Sequence, residues 1–418
     1  MNAKFNFDDE MQFLATGMTP GYLNAPRQFS HGAGALLFDE RGREYIDFCS
    51  GTLTNIAGHS HSEITHFMQK RIAELWNIHD YSSPYRLSTL KLINDITPNS
   101  IDTYEFYSSG SETIEAGLRA LLSYLPKNKQ RFCSFSGGFH GKTLGARQII
   151  NWRLEGEYFE PTFQIPFPDK IGISASEKHQ LEDKSLTIAK KLFSQHPSIG
   201  AFIFEPIQGA SGCLQASKTY WSELKAICSQ YNILFFADEV CVGLGRTGKN
   251  FAVNHYNIEP DLIAFAKGLG NGFPVMCLGG RKAIMNASPY GDPGGASTTF
   301  GGNPLAIGAI YATLSTYNKE TLVLKTKPIE ELILARLKML SIQSKIIDDF
   351  RCIGAFATIA FKSDQYGIAV HKKCIELELK SFTFGNLFRI VPPLVITKKQ
   401  IQKGLDILTS AIEFVEKN

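Results

Sequence analysis

The interpretation of this chain depends on one stretch, Asp261-Leu-Ile-Ala-Phe-Ala-Lys-Gly-Leu-Gly-Asn-Gly272. Its apolar first half predicts a buried strand, and Lys267 stands where that strand ends, before a glycine-rich loop. Burial disfavours the ammonium form of a lysine and leaves a nucleophilic amine, which a Schiff-base lysine requires. Taken alone, the stretch is more typical of a solvated lysine in a glycine-rich loop, so the rest of the chain has to distinguish the two interpretations.

The composition indicates a soluble globular protein of more than one compact unit. The chain has 418 residues, of which 44% are hydrophobic and 20% charged. The net charge is +3, from 43 basic and 40 acidic residues without a long run of one sign. We therefore expect neither nucleic acid nor a membrane surface to be the main partner.

The N-terminus and the cysteines predict a cytoplasmic protein. Acidic residues at Asp8, Asp9 and Glu10 replace the basic-then-apolar pattern of a signal peptide, and no apolar run reaches membrane-spanning length. The 8 cysteines are scattered, mostly in apolar segments, and none forms a Cys-x-x-Cys pair. We expect reduced, buried thiols and no metal site.

Strand and helix signals alternate through the middle of the chain. Strands are predicted at 131–135, 199–205, 233–237, 262–266 and 275–278. Helical spacing lies between them, as at 219–231. Such alternation predicts an α/β fold with a mostly parallel sheet covered by helices, in which functional groups gather at strand ends.

The two ends of the chain predict a smaller unit. Two short strands flank the polar turn Asp39-Glu-Arg-Gly42, and after residue 305 long helices (304–317 and 328–342) accompany separate strands near 352–361 and 387–391. A final helix is predicted at about 398–415. We divide the chain into an N-terminal segment (1–54), a large domain (55–305) and a small α+β domain (306–418) that the N-terminal segment joins.

Four features at strand ends together suggest a site for pyridoxal 5'-phosphate. Asp238 follows a buried strand, where a carboxylate can pair with a pyridinium nitrogen. The turn at Gly110 and Ser111 opens a helix whose free N–H groups suit a phosphate, with Ser109 and Glu112 predicting a capping box. An aromatic face at Phe139 could stack on a flat ring. Lys267 would supply the amine.

Several short motifs occur in one order from about Gly32 to the C-terminal helix. They are Ser109-Gly-Ser-Glu112, Phe139-His-Gly141, Glu205-Pro-Ile-Gln-Gly209, Asp238-Glu-Val240, Gly245-Arg-Thr-Gly248, Ala266-Lys-Gly268, Thr299-Phe-Gly-Gly-Asn-Pro304 and Phe388-Arg-Ile-Val-Pro-Pro393. In this order they resemble the class III (ω-)aminotransferases, which are fold type I pyridoxal phosphate enzymes. That resemblance implies a seven-stranded sheet between helices, a homodimer and aminotransferase activity.

The resemblance also implies roles for individual residues. Lys267 would form the Schiff base and later move the proton, while Asp238 would hold the pyridinium nitrogen. Arg389 would bind a substrate carboxylate through a bidentate pair. Thr299 would reach the cofactor of the partner subunit. The full set of residues implied to contact the cofactor is Ser109, Gly110, Ser111, Phe139, His140, Glu205, Asp238, Val240, Cys241, Lys267 and Thr299.

The chain departs from its best-known relatives at positions that bear on substrate. Ala210 stands where many relatives carry a glutamate that masks the carboxylate-binding arginine, and Thr52 stands where they carry tyrosine or glutamine. Cys241 takes the place of a glutamine near the ring hydroxyl. Ala296 replaces a common histidine, and Lys142 keeps a basic charge that could meet either an acidic substrate or a surface carboxylate.

Three hypotheses follow for the function. The leading one is an aminotransferase that moves an amino group from glutamate or alanine to an aldehyde or ketone through Lys267. The second, motivated by Thr52 and Ala210, is a racemase, an aminomutase or a decarboxylase resembling dialkylglycine decarboxylase on the same scaffold. The third is a catalytically silent protein that binds the cofactor or serves as a scaffold, which the paired Asp238 and Lys267 disfavour.

Overall fold

A computed structural model describes residues 7–15, 17, 25–79, 81–150 and 162–418. Its strands are β1 Phe29–Ala33, β2 Leu36–Asp39, β3 Glu44–Asp47, β4 Thr103–Tyr107, β5 Arg131–Phe135, β6 Phe163–Ile165, β7 Ile199–Phe204, β8 Ile207–Gln208, β9 Leu214–Gln215, β10 Leu234–Asp238, β11 Leu262–Phe265, β12 Met276–Gly280, β13 Ile347–Ile353, β14 Phe356–Phe361, β15 Leu379–Lys380, β16 Phe382–Phe384 and β17 Leu387–Ile390. The α-helices are α1 Phe7–Met11, α2 Ser50–Leu53, α3 Ser62–Ile72, α4 Arg86–Ile96, α5 Gly110–Tyr124, α6 Leu144–Ile149, α7 Ala175–Gln195, α8 Lys218–Gln230, α9 Val253–Tyr256, α10 Lys282–Met285, α11 Pro304–Lys319, α12 Thr326–Gln343, α13 Asp364–Glu376 and α14 Lys398–Lys417. Short 3₁₀ turns cover Lys127–Lys129, Lys267–Gly270 and Leu322–Lys325.

A seven-stranded sheet with the order β4-β12-β11-β10-β7-β5-β6 forms the centre of the molecule. Only β12 runs against its neighbours, so the predicted mostly parallel α/β sheet is confirmed. All six residues of β7 are buried, as expected for a strand covered on both faces. The parallel pairing of β10 with β11 sets Asp238 opposite Ala264, which brings the ends of these two strands side by side.

Helices pack on both faces of this sheet. Successive strand residues point to opposite faces, and β10 shows this clearly. On one face, a Cβ at Gly117 of α5 would lie only 2.4 Å from the Phe236 ring, so glycine permits the close approach. On the other face, Phe235 packs against Phe204, whose ring centroid is 5.0 Å from that of Trp221 in α8.

The two ends of the chain meet in smaller sheets. The predicted hairpin is confirmed, because β2 and β3 pair antiparallel around the turn after Asp39. Strand β15, from the C-terminal part, extends this sheet by pairing parallel with β3. The region 352–361 contains parts of two strands, β13 and β14, which meet at Gly354 in the left-handed region (φ +58). The domain boundaries at 54/55 and 305/306 stay a prediction.

The longest helices have strong start signals. Helix α7 (21 residues) begins with a capping box between Ser174 and Glu177, and α14 (20 residues) with one between Thr397 and Gln400. Both present buried residues on one face and charged residues on the other. Within the described ranges, no helix is long and apolar enough to cross a membrane.

Candidate active site

Lys267 follows β11 through Ala266 and begins the 3₁₀ turn. Its backbone lies in the left-handed region (φ +48), which non-glycine residues adopt rarely. The loop is braced by Asn271, whose Oδ1 accepts the N–H of Ala57 (2.9 Å) and whose Nδ2 donates to Gly58 O (3.0 Å). The amine of Lys267 is therefore presented, half-buried, at the edge of the sheet where β11 ends.

Asp238 ends β10 and is buried against His140. The Nδ1 of His140 lies 2.8 Å from Oδ2 of Asp238, and Oδ1 accepts the N–H of Val240 at 3.1 Å. Burial alone would lower the pKa of His140, but the hydrogen bond and the charge of Asp238 outweigh it, so this pKa is raised. The Nε2 of His140 is buried without a hydrogen-bond partner among the described residues.

Glu205 lies directly after β7 and orients the segment that carries Phe139. Its carboxylate accepts the N–H of Phe139 (2.8 Å) and that of Gly209 (3.1 Å). Burial, which leaves 4% of this residue exposed, raises the pKa of Glu205 to about 7. Phe139 itself is half-buried, with its backbone held against the end of β7.

The predicted phosphate turn forms the first turn of α5. Ser109 caps the helix, because its Oγ accepts the N–H of Glu112 at 3.2 Å. The predicted capping box is wrong in its second half, since the carboxylate of Glu112 accepts the N–H of Ser108 (3.0 Å) and not that of Ser109. The N–H groups of Gly110 and Ser111 precede the first intrahelical bond, so they lack helical acceptors.

Three segments meet at this turn. A Cβ at Gly110 would lie 3.4 Å from a Cγ atom of Val240, and one at Gly141, whose φ is +134, would lie 2.4 Å from Ser111 Oγ. Ser111 Oγ also accepts the N–H of Lys142 at 3.0 Å. The side chain of Lys142 is on the surface.

Cys241 contacts Lys267 directly. The distance from the Nζ of Lys267 to the Sγ of Cys241 is 2.7 Å, and both residues are half-buried. The sequence predicted a thiol near a ring hydroxyl; it did not predict that the thiol would lie against the lysine amine.

Thr52 lies on an exposed left-handed turn. The φ angles of Ser50, Gly51, Thr52 and Leu53 are +49, +67, +102 and +68. This rare backbone is held by Asp47, whose carboxylate accepts the N–H of Gly51 at 3.2 Å. The Oγ of Ser50 donates to the carbonyl of Val391 (2.5 Å), which ties the turn to the chain just beyond β17.

Arg389 lies in β17, two residues before Val391, so the same contact joins its strand to the turn of Thr52. Its guanidinium carbon lies 5.6 Å from the centre of the Phe382 ring. The Nε of Arg389 is buried without a hydrogen-bond partner in the described part of the chain. A carboxylate ligand could accept a hydrogen bond there.

One predicted position lies elsewhere. Thr299 is exposed, and its carbonyl accepts a hydrogen bond from Asn77 (3.1 Å). Across the described ranges, no hydrogen bond joins Thr299 to Lys267, Asp238 or the first turn of α5 within one chain. Ala210, in contrast, lies near the site, because it follows Gly209, where a Cβ would lie 3.5 Å from Cys241 Cβ and 3.3 Å from the Phe356 ring of the C-terminal sheet.

Sequence reasoning missed Arg246 and His59 as members of this region. The guanidinium of Arg246, 1% exposed, donates to the carbonyls of Ala355 (3.2 Å) and Pro392 (2.5 Å) and to Ser50 Oγ (3.3 Å). Burial lowers the pKa of Arg246 to about 10. Arginine between two glycines in Gly245-Arg-Thr-Gly248 was the available signal. The His59 ring lies 2.7 Å from Asp47, and only its place in a glycine-rich loop marked it.

The residues at this sheet edge fit a flat, phosphate-bearing aldehyde. An amine (Lys267) and a buried carboxylate (Asp238) lie at the ends of neighbouring parallel strands. The N–H groups at the start of α5 suit a dianion, and they lie beside Val240, which Asp238 holds through its backbone. This combination of groups is suited to pyridoxal phosphate.

Comparison with known proteins assigns the class. The model of the family described as "Aminotransferase class-III" matches residues 18–412. The chain is 31% identical over 393 residues to the acetylornithine aminotransferase of Clostridium acetobutylicum, covering 92% of this chain and 96% of that protein. It is 29% identical over 408 residues to the 5-aminovalerate aminotransferase of Pseudomonas aeruginosa, covering 90% of this chain and 91% of that one. A transaminase structure from the marine bacterium Virgibacillus superposes with a TM-score of 0.88 over 98% of each chain, at 23% identity.

The chain therefore belongs to the class III aminotransferase family, within the fold type I enzymes. Like its family, it is an aminotransferase that depends on pyridoxal 5'-phosphate. The predicted family, fold class, enzyme class and cofactor are thus confirmed.

Proposed function

We propose that this aminotransferase takes its amino group from glutamate or alanine and delivers it to an aldehyde or ketone, with Lys267 as the residue that carries the cofactor. Pyridoxal phosphate, when bound, supplies an electron sink that makes the Cα–H bond of an amino acid acidic. The chain's own residues then have to hold the substrate, exclude water and move one proton.

Lys267 is the proposed proton carrier. Its amine is half-buried at the end of β11 and its backbone is fixed by the Asn271 contacts. A fixed amine beside the reacting carbon can accept a proton and return it to a neighbouring atom without help from solvent. Asp238, oriented by His140 and by the N–H of Val240, is the proposed partner of a ring nitrogen.

The other cofactor contacts are proposed from the same geometry. Gly110 and Ser111 would donate backbone N–H groups to the phosphate at the start of α5, which Ser109 caps. Phe139 and Val240 would enclose the two faces of the ring, with Glu205 holding the backbone of Phe139 in place.

Arg389 is the residue proposed to select the amino donor, by binding its α-carboxylate. Its guanidinium stacks near Phe382, and its buried Nε has no hydrogen-bond partner among the described residues. Leaving a buried donor unsatisfied costs about 1–3 kcal/mol, and an α-carboxylate would satisfy it. Alanine at position 210 offers no carboxylate to compete for this arginine. Both features support an α-amino acid donor.

The acceptor is proposed only as a carbonyl compound. Thr52 is exposed on its left-handed turn, and this short side chain leaves more room than a tyrosine or glutamine would. Lys142 is exposed beside the first turn of α5, where it could meet an acidic group of the acceptor.

A cytoplasmic homodimer is proposed as the working form. The carbonyl of exposed Thr299 bonds to Asn77, close in sequence to the large apolar side chains of Trp76 (64% exposed) and Tyr81 (80% exposed). Phe300, next to Thr299, is 60% exposed. A second copy could cover these side chains and bring Thr299 to the partner's cofactor. All eight cysteines are free thiols, as a reducing compartment favours.

Single-substrate half-reactions test the function. Holoenzyme mixed with glutamate or alanine alone should lose the absorption band of the pyridoxal form and release one equivalent of the matching oxo acid. Added aldehydes and ketones should then restore the band, which identifies the acceptor. Release of CO₂, or exchange of the α-proton without an oxo acid, would contradict the proposal in favour of decarboxylation or racemisation.

A further inference from the structure

We propose that Cys241 and Lys267 form a peroxide-sensitive pair, in which oxidation of the thiol links Sγ to Nζ through a sulfenamide bond. This modification would occupy the amine proposed above to carry the cofactor. It goes beyond aminotransfer, because it requires only a peroxide and these two side chains.

The contact between the two side chains carries the inference. Nζ and Sγ are 2.7 Å apart, so an oxidised sulfur at position 241 would lie within reach of an amine. The left-handed backbone of Lys267 and the bonds that Asn271 makes to Ala57 and Gly58 fix the loop that presents the amine. A fixed amine in contact with sulfur competes well with thiols arriving from solution.

Exposure leaves two cysteines accessible to peroxide, and Cys241 is one of them. Cys241 and Cys352 are half-buried. The other six cysteines are buried: Cys49, Cys133, Cys213, Cys228, Cys277 and Cys374. A peroxide reaches exposed thiols first. The thiol of Cys352 donates to the carbonyl of Gly354 (3.8 Å), which cannot attack sulfur. Cys352 is therefore a matched control, with similar exposure and a different neighbour.

The chemistry balances in two steps. The thiolate of Cys241 attacks one oxygen of hydrogen peroxide, the O–O bond breaks, and a sulfenic acid and water form after proton transfer. The neutral amine of Lys267 then attacks the sulfur, the S–O bond breaks, and the hydroxyl leaves as water with a proton from nitrogen. Sulfur is oxidised by two electrons and peroxide is reduced to water. A thiol reductant reverses the link by attacking the S–N bond.

The cofactor should protect against this reaction. A Schiff base on Lys267 would occupy Nζ, so the link should form mainly when no cofactor is bound. Protection by the cofactor rests on the proposed role of Lys267, whereas formation of the link in cofactor-free protein does not. The experiment therefore distinguishes a failure of the proposed role from a failure of the proposed link.

The test treats the full-length chain, with and without bound pyridoxal phosphate, with hydrogen peroxide, and follows it by mass spectrometry. Cofactor-free protein should lose two hydrogen atoms, about 2 Da, and the loss should disappear after dithiothreitol. Trypsin should fail to cleave after Lys267, and a joined peptide pair should map the bond to Cys241. Cys352→Ser should give the same product, while Cys241→Ser and Lys267→Met should not.

Three results would overturn the proposal. The first is stable sulfinic acid on Cys241 with free Lys267 amine in cofactor-free protein. The second is a mass loss that maps to a disulfide. The third is a link that persists in the Cys241→Ser variant. A link that forms equally with and without cofactor would support the pair and would instead contradict the proposed role of Lys267.

Discussion

The Nδ1 of His140 lies 2.8 Å from Oδ2 of Asp238, and both side chains are almost completely buried. Removing His140 leaves Oδ2 of the buried Asp238 without this hydrogen bond, although Oδ1 keeps the N–H of Val240. His140→Ala should therefore destabilise the fold by about 3 kcal/mol and weaken cofactor binding. Urea unfolding and a cofactor titration would measure the two effects. His179→Ala, in an exposed pair with Asp183, is the control and should change neither.

Because the pKa of His140 is raised, the contribution of the His140–Asp238 pair to the free energy of unfolding depends on pH. A histidine whose folded pKa exceeds its unfolded value stabilises the fold fully below the unfolded pKa, and the stabilisation disappears as pH rises through the folded pKa. The difference in unfolding free energy between wild type and His140→Ala should therefore shrink toward alkaline pH. A difference that grows with pH would contradict this assignment.

Glu239 offers a second pH prediction outside the proposed cofactor contacts. It is 1% exposed, its Oε1 accepts the N–H of Val253 (2.7 Å), and burial raises its pKa from 4.5 to about 8. The folded state holds this proton more tightly, so wild-type stability should fall as pH rises from about 4.5 to about 8. Glu239→Gln should remove that fall, which is on the order of 4 kcal/mol. Urea unfolding of wild type and of Glu239→Gln at several pH values would measure this. If the unfolding free energy changed equally with pH in both proteins, Glu239 would not be the cause.

Lys267→Ala tests the central lysine. Turnover of any amino donor should fall on the order of 10³-fold, because the variant lacks the amine proposed to move the proton. The absorption band of the enzyme-linked cofactor should also disappear. Lys282→Ala, an exposed lysine at the start of α10, should keep both. Normal turnover by the Lys267→Ala variant would refute the assignment.

Arg389→Gln tests the donor carboxylate. The KM for glutamate or alanine should rise about 10- to 100-fold, because a charged hydrogen bond to the carboxylate is lost. Amine donors without a carboxylate should be unaffected. Arg351→Gln is a matched control from the same C-terminal sheet, since its guanidinium is already paired with Asp349 and lies 3.6 Å from Asp169. Equal KM changes in both variants would point to a general effect on this sheet.

Thr52→Gly tests the left-handed turn. A β-branched residue at φ +102 is strained, so glycine should stabilise the fold by about 1 kcal/mol despite its greater freedom when unfolded. Thr54→Gly, where φ is −87, should instead destabilise by about 1 kcal/mol. Urea unfolding of the two variants should therefore give opposite signs. The same sign in both would mean that the turn is not strained.

Local patterns determined the strands, the helices and the class of this protein. Apolar runs ending at Asp238 and Lys267, and helical spacing after Ser109, predicted the elements within a few residues. Such patterns can be recognised in the sequence because apolar residues recur along the buried face of each helix or strand with the period of that element. The order of the short motifs then implied the family, which the comparisons confirmed.

Contacts between distant segments were decided only in the tertiary structure. The hydrogen bond from His140 to Asp238, the 2.7 Å contact of Lys267 with Cys241 and the buried guanidinium of Arg246 join residues from different elements. Their geometry depends on sheet register and on the backbone angles of loops, which residue periodicity does not encode. The second half of the capping box at Ser109 failed for a local reason, because the carboxylate of Glu112 accepts the N–H of Ser108 instead. The sequence by itself determined which chemical groups stand at the strand ends, and the tertiary structure decided which of them touch.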